Sequence, residues 1–87
     1  MFMLGDLEVQ ILKRLSDKPI STLWLYDTFT KNGVQKNAFE NAIKSLERKK
    51  LICVKSLSLQ LTENGAKMLG ILEAIQLKKY EEKILKV

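Results

Sequence analysis

Asn37, Asn41, Lys44 and Arg48 follow one another at spacings of four, three and four residues. On an α-helix, residues three and four apart share a face, so a helix over 36–49 would set these four side chains in one line. An asparagine amide donates and accepts together, which matches N6 and N7 of adenine in a bidentate pair. Arginine can pair with guanine in the same way or grip a phosphate, and lysine neutralises phosphates without reading sequence. The chemistry this spacing supports is holding a nucleic-acid duplex and reading part of its sequence. The alternative for each residue is ordinary solvent exposure.

The neighbours fit the same chemistry. Gln35 and Lys36 stand at the start of this segment, and Lys49, Lys50 and Lys55 beyond it are candidate phosphate contacts. Glu40 could accept from cytosine or repel nonspecific phosphate, and Ser45 flanks the line. The chain of 87 residues carries a net charge of +5. Residues 31–50 alone hold +4, from Lys31, Lys36, Lys44, Arg48, Lys49 and Lys50 against Glu40 and Glu47, and the remaining 67 residues hold +1. A basic excess confined to one element points to a polyanion-binding face, although a basic helix C-terminus is favoured by the helix dipole in any case.

Little else could do chemistry. There is no histidine, the single cysteine is Cys53, no glycine-rich loop could cradle a phosphate, and the carboxylates lack metal-ligand spacing. An enzyme, a metal, a cofactor and a small-molecule ligand are therefore not expected. One cysteine also excludes an internal disulfide framework and fits a reducing compartment. Apolar residues make up 46% and charged residues 29%, a globular composition. No stretch is long enough to span a membrane, and the opening MFMLG lacks the basic flank of a signal peptide. A single domain over 1–87, soluble and cytoplasmic, is the expectation.

The elements that must position the polar line follow from periodicity. Asp6 can cap a first helix reaching about Leu15, with Leu7, Ile11, Leu12 and Leu15 inward. Ser16-Asp17-Lys18-Pro19 ends it, and Ile20 is a short extended link. Ser21 or Thr22 caps a second helix, with Leu23, Leu25, Tyr26 and Phe29 available for the core and Trp24 expected to pack. Asn32-Gly33 terminates it, with Gly33 left-handed. The third helix, 36–49, has Phe39, Ala42, Ile43 and Leu46 as its apolar stripe. LICVKSLSLQLT then predicts a hairpin of strands near 51–55 and 58–62 turning at Ser56-Leu57. Leu57, Leu59 and Leu61 should share one side, and Cys53 should be a small buried hydrophobe.

Thr62 can cap a final helix, where Gly65 would let the first turn lie against neighbouring backbone. In that helix Met68, Leu69, Leu72 and Ile75 form one apolar stripe. Leu77, Tyr80, Ile84 and Val87 form a second, at the spacing of a helix–helix seam. Residues 66–87 are more helix than a small core needs, so the second stripe, with MFML at the N-terminus, predicts a homodimer. The alternative is that this helix folds back on the first helix of its own chain.

Two segments resemble a known superfamily. GVQKNAFENAIKSLERKKLI is similar to the turn and recognition helix of winged helix-turn-helix domains. LQLTENGAKML resembles the segment that follows the wing in MarR- and PadR-type regulators and in small archaeal and archaeal-virus winged-helix proteins. With the first two helices, the match covers nearly the whole chain. The resemblance implies an α+β, mostly helical fold: three helices, a short β-hairpin wing and a long C-terminal helix. It further implies a small dimeric transcription regulator that binds double-stranded DNA with helix 36–49 in the major groove. The wing would add Lys55 and Ser56 to the contacts. Two departures stand out. Gln35 occupies the place where relatives carry a Ser or Thr cap, and the wing is minimal. Both leave room for a winged-helix protein-interaction module; a sequence-neutral architectural DNA-binding protein is a third reading, against which the outward asparagines argue.

Overall fold

The computed structural model describes the backbone of residues 4–85 and the side chains of residues 4–75. Its elements run α1 (Asp6–Arg14), β1 (Ile20–Ser21), α2 (Thr22–Lys31), α3 (Lys36–Arg48), β2 (Ile52–Lys55), β3 (Ser58–Leu61) and α4 (Glu63–Leu85). The class is α+β and mostly helical, as the residue pattern predicts.

One core joins all of these elements. Ile11, Leu12, Leu25, Leu46 and Leu59 are fully buried at its centre. The apolar stripe of α3 is buried as expected, through Phe39, Ala42, Ile43 and Leu46. Phe39 also locks α3 to α2: the Tyr26 ring meets it edge-on at 5.8 Å between centroids, and Phe29 lies at 5.7 Å. Aromatic pairs prefer such offset arrangements.

Three expectations for the first two helices are corrected. Gly5, not Asp6, holds the cap position of α1, with no side-chain hydrogen bond. Asp6 is instead the first helical residue, where its charge faces the positive end of the helix dipole without capping. Leu23 is 69% exposed and does not join the core, and Trp24, expected in core or dimer packing, is 51% exposed and lies outside this chain's core. Helix geometry explains this, because Leu25 and Phe29 define the inward line of α2 and Leu23 lies about 200° around the helix from Leu25. Ile20 does more than link: β1 pairs antiparallel with β3, Ile20 opposite Leu59 and Ser21 opposite Ser58. The sheet order is β1-β3-β2.

Helices α2 and α3 end in the same way. After α2, Gly33 has φ 94°, the Gly33 N–H donates to Thr30 O, and the Val34 N–H donates to Phe29 O at 3.1 Å. After α3, Lys50 takes φ 61°, its N–H donates to Glu47 O, and the Leu51 N–H donates to Leu46 O at 3.0 Å. Each is the paired 6→1 and 5→2 pattern that satisfies terminal carbonyls around a left-handed residue. Gly33 adopts that conformation freely; Lys50 does not.

The hairpin turns at Ser56-Leu57, with β2 and β3 in register from Ile52–Leu61 to Lys55–Ser58. Ser56 and Leu57 have φ of 49° and 65°. Two positive φ values are the mark of the tight hairpin turn usually built from Asn-Gly. Leu57 is therefore not aligned with Leu59 and Leu61 but stands 81% exposed at the apex. Cys53 is half-buried rather than buried, and its Sγ accepts from Gln60 Nε2 across the hairpin.

The strand-to-helix corner is built as expected. The Thr62 hydroxyl accepts from the Gly65 N–H at 3.0 Å and donates to Lys50 O. The Thr62 N–H donates to Leu51 O at 3.0 Å. One threonine thus caps α4 and ties it to the end of α3. In α4, Leu69 is buried and Met68 and Leu72 are half-buried, but Ile75 is 47% exposed, so the core-covering stripe stops near Leu72. Leu77, Tyr80, Ile84 and Val87, expected at a dimer interface, lie outside the described residues.

Candidate nucleic-acid interface

The polar line of α3 faces away from the core. With Phe39, Ala42, Ile43 and Leu46 inward, Asn37, Asn41, Lys44 and Arg48 fall on the opposite side, and all four are exposed. Asn41, Lys44 and Arg48 line one shallow concavity together with Glu47. A second joins Ser45, Arg48, Lys49 and Lys50 at the C-terminal end. Gln35 sits at the cap position, and its side chain makes no capping hydrogen bond. The helix start therefore lacks a side-chain cap. Lys36 and Glu40 are exposed, whereas Ser45 is half-buried.

Charge is not cancelled within this face. Lys36, Lys44, Arg48 and Lys50 enter no ion pair among the described residues. Lys49 departs from its expected role as a phosphate contact. Its Nζ lies 2.9 Å from Glu8 Oε2, and both side chains are mostly covered. It ties α1 to α3, on the opposite side of α3 from Glu40. The signal in the sequence was present: Lys49 falls about 100° from Arg48, off the line of the other basic groups.

The hairpin contributes less than a projecting wing would. The Thr22 N–H donates to Leu57 O at 2.9 Å, which pins the turn against the first residue of α2. Lys55 and Ser56 are exposed at that turn.

Next to the polar line lies an open apolar groove that the residue pattern did not reveal. Tyr26, Phe39 and Ile43 lie within it, Leu23 and Leu57 border it, and the α3 residues Lys36, Glu40, Lys44 and Glu47 form its polar edge. Finding it from sequence requires knowing that Leu23 faces outward and that the turn carrying Leu57 lies against the start of α2.

Among the described residues no group of His, Cys, Asp or Glu could hold a metal ion, and no helix is long and apolar enough to cross a membrane. No protein-family model, no curated protein and no solved structure matches this chain.

Proposed function

We propose that the chain is a winged helix-turn-helix protein that binds double-stranded DNA, with α3 in the major groove. The single observation that carries this reading is the outward face of α3, where Lys36, Lys44 and Arg48 enter no ion pair among the described residues and stand beside Asn37 and Asn41. A helix of this kind fits the width of the major groove. The element order and the β1-β3-β2 sheet support the winged-helix assignment. The asparagines contribute base reading, Lys36, Lys44, Lys50 and Lys55 contribute phosphate contacts, and Arg48 serves either purpose.

In this reading the protein is a small transcription regulator acting in the cytoplasm as a homodimer. The last helix supplies the dimer contact through Leu77, Tyr80, Ile84 and Val87, so that two copies of α3 meet a palindromic site one helical turn apart. The proposal contains no catalytic step and needs no cofactor. The experiment is a salt titration of binding to a random duplex. Four phosphate contacts in each copy, eight in the dimer, give a slope of about −7 in log affinity against log salt, and a slope near zero would remove the reading.

A second reading has its own observation. The exposed Leu23, Trp24 and Leu57, with the hairpin turn pinned to α2, suit a protein-interaction module better than a DNA-gripping wing. An architectural DNA-binding role differs from the first reading only in lacking a sequence preference, which the same titration on different duplexes reads directly.

A further inference from the structure

The edge of α3 that borders the groove carries Lys36, Glu40, Lys44 and Glu47, all exposed. From the N-terminus the charges read plus, minus, plus, minus. None of the four enters an ion pair among the described residues, although neighbours four apart on a helix can pair. The reversed order reads minus, plus, minus, plus. Two copies of this edge laid antiparallel therefore place Lys36 against Glu47 and Glu40 against Lys44, each pairing occurring twice about a two-fold axis. The midpoints of the two pairings differ by half a residue, about 0.8 Å along the helix, which long side chains absorb. Laid parallel in register, the same edges would set like charges together, so the pattern selects one orientation.

Apolar surface lies beside this edge. Leu23 and Leu57 are 69% and 81% exposed, and the Thr22–Leu57 hydrogen bond holds them on one rim. Leu57 also holds a left-handed φ of 65°, where glycine or asparagine would be unstrained. A strained backbone presenting a bare leucine is unfavourable in an isolated chain, and such outliers gather at functional surfaces.

We infer that this edge and rim dock a second copy of the chain, two molecules meeting through antiparallel α3 edges with Leu23 and Leu57 covered in the contact. The contact is isologous and separate from the last-helix dimer. It also covers Lys36 and Lys44, so self-docking and DNA binding exclude one another; that consequence alone rests on the DNA reading.

The test is sedimentation of the full chain without DNA over a wide concentration range, beside the double variant Leu23→Asp/Leu57→Asp. Both positions are exposed, and circular dichroism checks the fold. At high concentration the wild type should reach twice the mass of the variant if the basic unit is a monomer, and at least twice if it is a last-helix dimer, which carries two such edges. Glu40→Lys sets lysine against lysine at two symmetric places and should weaken association about tenfold or more at low salt. Glu40→Lys/Lys44→Glu restores every pairing and should recover it. Equal masses for wild type and the leucine variant at all concentrations would overturn the inference and leave the groove to a different occupant. A double charge swap no better than Glu40→Lys alone would also overturn it. Neither result bears on DNA binding, which the salt titration reads independently.

Discussion

Gly65 stands against the backbone carbonyl of Leu51 with no room between them for a β-carbon. The Leu51 oxygen is already the acceptor for the Thr62 N–H, so it cannot move aside without opening the corner between β3 and α4. That contact explains why a glycine, ordinarily costly inside a helix, lies in the first turn of α4. Gly65→Ala should destabilise the fold by about 3 kcal/mol through overpacking against backbone. Gly70, in the same helix, has open space around it. Gly70→Ala should stabilise by about 0.5–1 kcal/mol. Urea melts of the two variants would show the opposite signs.

Thr62 serves the same corner through its hydroxyl, which bridges the Gly65 N–H and Lys50 O. Thr62→Ala removes both bonds and should cost about 1–2 kcal/mol. Thr62→Ser keeps the oxygen and should cost much less, as read by the same melts.

Lys50 and Leu57 hold left-handed conformations that a β-carbon disfavours. Lys50→Gly should stabilise the chain by up to about 1 kcal/mol, since a left-handed non-glycine residue costs about 1–2 kcal/mol and glycine gives part of this back as unfolded-chain entropy. Replacing Ser56-Leu57 by Asn-Gly should likewise tighten the hairpin. A fall in melting temperature in either variant would mean that these side chains contribute more contact than the structure gives them.

Lys49 and Lys44 are five residues apart in sequence but differ in what they hold. Lys49 is engaged with Glu8, so Lys49→Ala should lower stability, by about 1 kcal/mol, and leave the salt slope of DNA binding unchanged. Lys44→Ala should do the reverse: stability unaltered, and the slope reduced in magnitude by about one per copy bound. Thermal melts and binding titrations on both variants separate the two roles.

The third helix and the corner were legible because their residues obey one rule each. Phe39, Ala42, Ile43 and Leu46 repeat at helical spacing, and Thr62 with Gly65 stands where a strand rhythm becomes a helical one. Ile20 was read only as extended, because two residues carry no period that could reveal pairing with Leu59. The apolar pattern does not set Leu23 apart because α2 is apolar on several faces, and only tertiary packing selects Leu25, Tyr26 and Phe29. Leu57 continued the alternation of Leu59 and Leu61, yet the two-residue turn needed it at the apex. On the candidate site, the line from Asn37 to Arg48 follows from helical geometry. The engagement of Lys49 depends on where α1 lies, and no local pattern encodes that.

The most direct test of the central claim is fluorescence-anisotropy binding of the full chain to its own upstream DNA and to a random duplex, across salt, beside the triple variant Asn41→Ala/Lys44→Ala/Arg48→Ala. If α3 reads bases, the wild type should prefer a specific site by about 10³-fold or more. The triple variant, still folded because all three residues are exposed, should lose that preference and bind with a shallower salt slope. Equal affinities of wild type and triple variant for both duplexes at every salt concentration would contradict it.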